Sequence, residues 1–116
     1  MAASPKAGGI SIHVFDVSRG IAATVLRVEL KAPGGKTLAD GRVNAQGVLD
    51  CPSTTTGICE ATFHIDDWYR AQGVAVPKPA FLETVPYRFG IADLAQHYHL
   101  PLKMTPWGFS LFRGGA

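Results

Sequence analysis

The run Tyr98–Met104, YHLPLKM, constrains the fold more than any other stretch of this chain. Tyr98, Leu100, Leu102 and Met104 alternate with His99, Pro101 and Lys103. Successive side chains on a strand point to opposite faces, so the first set predicts a buried face. The second set, extended back to His97, predicts a face carrying two imidazoles and an ammonium.

The same alternation recurs along the chain. In ISIHVFD, Ile10, Ile12 and Val14 face one way, and Ser11, His13 and Phe15 the other. VSRG breaks this strand. TVLRVEL predicts a second, with Val25, Arg27 and Glu29 opposite Leu26, Val28 and Leu30. KAPGGK is a turn rich in Pro and Gly, TLADGRVN a third strand, and AQGVL a turn followed by a very short strand. DCPSTTTG reads as a loop and ICEATFHI as another strand. DDWYRAQG predicts the one helix, of one to two turns, with Asp66 or Asp67 as N-cap and Gly73 as stop. After a proline-bearing connection, LETVPYRFGI is a strand whose Pro86 favours an edge or a bulge. AQHYHLPLKM and WGFSLFRG, separated by TP, complete the set. Seven to eight short strands with one short helix predict an all-β, two-sheet sandwich.

At 116 residues the chain predicts one domain, assigned to 10–116 after a flexible tail at 1–9. That length leaves little room for a deep pocket inside one subunit. Hydrophobic residues make up 47% and charged residues 17%, an apolar balance that points to self-association. A net charge of +2, with no basic run interleaved with aromatics, argues against nucleic acid as partner. No apolar run approaches the roughly 18 residues of a spanning helix. MAASPKAGG lacks the apolar centre of a signal peptide, so the expectation is a cytoplasmic protein. Cys51 and Cys59 flank PSTTTGI and allow a small loop disulfide, although reduced thiols fit a cytosolic chain better. No CxxC pair marks a structural zinc site.

Two long stretches carry a resemblance. ISIHVFDVSRGIAATVLRVEL resembles the first signature of the transthyretin-like family, and AQHYHLPLKMTPWGFSLFRGG resembles its second. DDWYRAQG sits where that family has its short helix. The resemblance covers Ile10 to Gly115. The histidine of HVFD, and HYH followed by a near-YRGS terminus, resemble the enzyme branch, 5-hydroxyisourate hydrolase; the hormone-carrier branch lacks these histidines. The resemblance implies a homotetramer in which dimers form by edge-to-edge strand pairing and face each other around a central channel. It places the sites in that channel, with a small-molecule substrate and no cofactor.

The reaction so implied opens a lactam ring of an oxidised purine. Water attacks a carbonyl and the nitrogen leaves protonated, which requires a base, an acid and a donor at the oxyanion. Imidazole suits both proton roles, with an unperturbed pKa of about 6.5. His13 and His99 match the two motif histidines and are the expected catalytic pair, binding and deprotonating the water. His97 shares the face of His99, nearer the channel mouth, either as a supporting contact or as a neutral neighbour. His64 matches no motif. A His-x-His spacing also suits zinc, but no Asp or Glu of the matched motifs completes the set, so the expectation is no metal.

The chain departs from the family in three places. Its Asp-Gly-Arg turn is Gln46-Gly47-Val48 here, so Val48 stands where the substrate-contacting arginine is expected. ADGR, ending at Arg42, has the right letters but lies six residues too early, so Arg42 replaces the missing arginine only if the register changes. The YRGS terminus reads FRGGA: Phe112 replaces Tyr, Gly115 replaces Ser, and Ala116 extends the chain. Phe112 is expected to face the channel in register with Ser110 and Gly114, and Arg113 is retained; all four are candidate substrate contacts. Lys103 stands where the family has an aliphatic residue. It is either a catalytic charge replacing the arginine or a solvated side chain. Lost donors suit a substrate with capped polar edges. The readings are therefore 5-hydroxyisourate itself, an N-methylated form, another cyclic amide or ring carbonyl, or a non-catalytic ligand binder. Retention of His13 and His99 argues against the last.

Overall fold

The computed structural model describes residues 8–114. Of the tail expected at 1–9, residues 1–7 lie outside the described residues, as do Gly115 and Ala116. In chain order the elements are β1 (Ile10–Asp16), β2 (Ile21–Ala22), β3 (Arg27–Lys31), β4 (Thr37–Arg42), β5 (Val48–Cys51) and β6 (Gly57–His64). They continue with α1 (Ile65–Ala71), β7 (Thr84–Ile91), β8 (Tyr98–Thr105) and β9 (Gly108–Leu111). One sheet runs β2-β1-β8-β9, with β5 also pairing β1; the other runs β4-β3-β6-β7. β1 and β8 are parallel.

The alternation read from the sequence fills the space between the sheets. Ile10, Ile12, Val14, Leu100, Leu102 and Met104 come from one sheet, and Val28, Leu30, Ala61 and Phe63 from the other, all buried. Burial of each large aliphatic or aromatic side chain contributes about 1.5–3 kcal/mol. Pro86 sits in β7, an outer strand of its sheet, where a missing N–H costs no ladder bond. Cys51 and Cys59 are free and buried. Among the described residues no helix is long and apolar enough to cross a membrane.

Three local features differ from the sequence expectation. β3 begins at Arg27 rather than Thr24, because Val25 has φ 64°, outside the range of a strand. Its N–H bonds the Val43 carbonyl at 3.0 Å. Neither Asp66 nor Asp67 is the helix N-cap. Fully buried Ile65 draws the first turn directly onto the end of β6, leaving His64 at the cap position without a side-chain capping bond. Asp66 and Asp67 fall in the first turn, where carboxylates meet the positive end of the helix. Gly73 does stop the helix, with φ 77° and the Val74 N–H bonded back to the Tyr69 carbonyl at 3.0 Å.

The third difference is the added two-residue strand β2, which brings the described strands to β9. It follows from Asp16, fully buried at the end of β1. Its Oδ1 accepts from the Ser18 N–H at 3.0 Å and the Ser18 hydroxyl at 2.6 Å, and its Oδ2 from Arg19 Nε at 2.8 Å. These bonds fold the chain back so that Ala22 pairs with Phe15.

Candidate functional site

Strand register places the candidate residues in three rows on the outer face of the β1–β8 sheet, because residues directly opposite one another share a face. The middle row is Val48, His13 and Pro101, on β5, β1 and β8. On one side lies the row Asp50, Ser11, His99 and Gly114. On the other lies Ala22, Phe15, Lys103 and Ser110. His13 therefore has His99 and Lys103 as its two diagonal neighbours on β8, each about 7–8 Å away along the sheet.

Ser11 ties the histidines together. Its Oγ lies 2.8 Å from His97 Nε2 and 2.7 Å from His99 Nδ1. His97 Nδ1 in turn lies 2.8 Å from the Gly8 carbonyl oxygen. Gly8 and Gly9 are themselves anchored, the first by its N–H to Ala95, the second by its carbonyl to the Tyr98 N–H. Burial lowers the pKa of His99, and the nearby His13 and His97 lower it further, while Asp50 pulls it up. The ring of His13 stands edge-on to Phe15, with centroids 6.5 Å apart.

Val48 owes its place beside His13 to a rigid turn. Asn44 Oδ1 accepts from the Gln46 and Val48 N–H groups at 3.0 and 2.9 Å. Asn44 N–H and the Val48 carbonyl close the turn at 2.9 Å. Gly47 has φ 80°, and a Cβ there would lie 2.6 Å from the Val14 carbonyl oxygen and 3.4 Å from His13 Cδ2. Only glycine lets the backbone pass this close to the histidine.

The other candidates are distributed as follows. Lys103 is exposed, flanked by Phe15 and Ser110. Phe112 follows β9 and is 44% exposed. Gly114 lies against His99, where a Cβ would be 2.9 Å from Cδ2. Arg113 is engaged elsewhere: its guanidinium lies over the Tyr98 ring at 4.1 Å and donates to Gln96 Oε1 at 3.1 Å. Arg42 lies on the opposite sheet, opposite Arg27, and donates to the Val25 carbonyl at 3.0 Å. His64 pairs with Glu29 at 2.7 Å, also on that sheet. Among the described residues no three His, Cys, Asp or Glu side chains gather as a metal-ligand set.

Sequence reasoning missed Ser11 and Asp50. Ser11 shares parity with His13, and its register with His99 depends on the β1–β8 pairing, which local pattern does not reveal. Asp50 was read as loop, yet it ends a row and, with His97 and Cys51, lines a cavity of about 430 Å³ beside the histidines.

Comparison with known proteins bears on the fold and the family of the chain. The sequence profile of the HIUase/Transthyretin family matches residues 10–114. The chain is 41% identical to 5-hydroxyisourate hydrolase 2 of Rhizobium meliloti, over 94% of this chain and 98% of that protein. Among solved structures, the 5-hydroxyisourate hydrolase of Klebsiella pneumoniae superposes with a TM-score of 0.81 at 29% identity, covering 93% of this chain and 99% of that one. An (S)-allantoin synthase superposes with a TM-score of 0.85 at 30% identity, over 99% of this chain but 46% of the other.

Proposed function

Since the chain belongs to the HIUase/Transthyretin family, we propose that it is a cyclic-amide hydrolase that opens the lactam ring of 5-hydroxyisourate or a close relative. The observation that carries this reading is the diagonal pairing of His13 and His99 on one outer face; burial and the imidazole neighbours lower the pKa of His99, which favours its neutral form. Neutral imidazole is the form that can take a proton.

In the proposed mechanism a water lies between the two rings. His99 Nε2 accepts its proton as the oxygen attacks the ring carbonyl, and the carbonyl electrons move to oxygen. His13 donates a hydrogen bond to that oxyanion, and the Lys103 ammonium on its other side adds positive charge. Collapse of the tetrahedral intermediate breaks the C–N bond, and His99 returns its proton to the departing nitrogen. Ser110, Phe112, Gly114 and His97 border the substrate, and Arg113 acts behind them through Tyr98 and Gln96. The proposed enzyme is a cytoplasmic homotetramer, a dimer of dimers, whose second subunit closes the open face over the histidines. A face lying open on one chain needs such a cover to exclude bulk water.

The first test follows the ultraviolet absorbance of freshly generated 5-hydroxyisourate with and without the protein. Faster decay supports the reading. No acceleration of this compound or of its N-methylated form, together with tight ligand binding, identifies a binding protein instead. A second reading is favoured by one observation: apolar Val48 stands directly opposite His13. This reading assigns an N-methylated substrate, whose capped edge asks for no donor at position 48. Preferential acceleration of the methylated compound distinguishes it.

A further inference from the structure

With His97 neutral, the hydrogen bonds around Ser11 have only one consistent direction, and we propose that this direction sets the tautomer of His99, making Ser11 a positioning residue. A backbone carbonyl only accepts, so the Gly8 oxygen requires a proton on His97 Nδ1. A neutral His97 then has a bare Nε2, which must accept from Ser11. Ser11 has one hydroxyl proton, and it is now committed. Its oxygen can therefore only accept from His99 Nδ1. His99 carries its proton on Nδ1, and Nε2 is left with its lone pair. Among the described residues no partner bonds that lone pair.

Each link is fixed by position. Both nitrogens of His97 have partners, which sets the ring's orientation. Ser11 is only 9% exposed, so water does not readily replace it. Gly8 cannot bear a side chain without displacement, since a Cβ would lie 2.6 Å from the Leu94 carbonyl oxygen. The chain thus begins at a backbone acceptor, Gly8, whose own N–H is bonded to the Ala95 carbonyl, and ends at a basic nitrogen. Which ring nitrogen carries the proton is set by the bond the other one makes. In this role His97 and Ser11 act through His99.

The catalytic consequence rests on the hydrolase reading; the tautomer does not. The experiment keeps them apart. Two-bond ¹H–¹⁵N correlations of the imidazoles are recorded on the full chain, well above the usual histidine pKa of about 6.5, with His99→Gln to assign the signal. The expected wild-type pattern is Nδ1–H for His99. Ser11→Ala and His97→Phe release it toward the Nε2–H form, and Ser11→Thr retains Nδ1–H. In turnover, Ser11→Ala lowers kcat by roughly 10- to 100-fold, within the range of proton-transfer effects, with KM little changed and Ser11→Thr restoring the rate. A wild-type Nε2–H pattern, or an unchanged tautomer in Ser11→Ala, overturns the proposal. A locked Nδ1–H tautomer in a protein that hydrolyses nothing supports the role of Ser11 and sinks the hydrolase reading instead.

Discussion

At the scale of single residues, the chemistry depends on what each imidazole meets. His13→Ala or His99→Ala is expected to lower turnover by roughly 10²- to 10⁴-fold without loss of fold; near-normal rates with unchanged circular dichroism would dismiss the pair as catalysts. The lowered pKa of His99 has a definite sign. Burial and the other two imidazoles disfavour its charged form, so it stays neutral, and able to act as a base, to lower pH than a free histidine. The acid limb of kcat/KM should therefore have its midpoint below about 6.5. Asp50 is the one influence raising that pKa, so Asp50→Asn should move the limb further toward acid. A limb at or above 6.5 contradicts the assignment. The same shift makes the folded state bind fewer protons than the unfolded chain, so stability declines as pH drops from about 6.5 through the lower folded value. That the two motif histidines share one face was legible from parity and resemblance. Ser11 was not, because a serine two residues before a histidine means little until a strand distant in sequence is laid beside it.

At the scale of elements, runs with uninterrupted alternation were legible and the turns joining them were less so. β1 spans the residues that ISIHVFD predicts, since its pattern and its burial coincide. β3 starts late because one residue, Val25, takes a backbone conformation that no side-chain pattern announces. Left-handed geometry costs an ordinary residue about 1–2 kcal/mol, and Asn tolerates it. With its side chain half exposed, Val25→Asn should raise stability by about 1 kcal/mol in urea denaturation. The turn after β1 makes the opposite case. Burial pushes the Asp16 carboxyl up, but the bonds from Ser18 and Arg19 outweigh it and hold the pKa below the usual range. Its contribution is full above about pH 3.9 and disappears as pH falls through the lower folded value. Asp16→Asn is expected to cost about 1.5–3 kcal/mol, as for hydrogen bonds to a charged group, and to remove that acid dependence from the denaturation curves.

At the scale of the molecule, both sheets end in an outer strand, β9 in one and β7 in the other. Phe109 and Phe112, on or beside β9, are 47% and 44% exposed. Unpaired edges of this kind invite another strand. Light scattering should find the proposed tetramer, and Phe109→Asp with Phe112→Asp should split it into smaller species with reduced activity; a monomeric, fully active wild type would refute the assembly. The sandwich was legible as a class, but a two-layer pattern is silent about which strands neighbour which, and that neighbourhood creates the site. The tight turn before β5 has an outcome of its own. Asn44 and Gly47 hold the backbone without help from the side chain at 48, so the socket facing His13 keeps its shape whatever is plugged into it. On the proposed reading, exchanging the side chain at 48 alters selectivity without disturbing the fold, and a small library at that position would show it as changed substrate preference at unchanged stability.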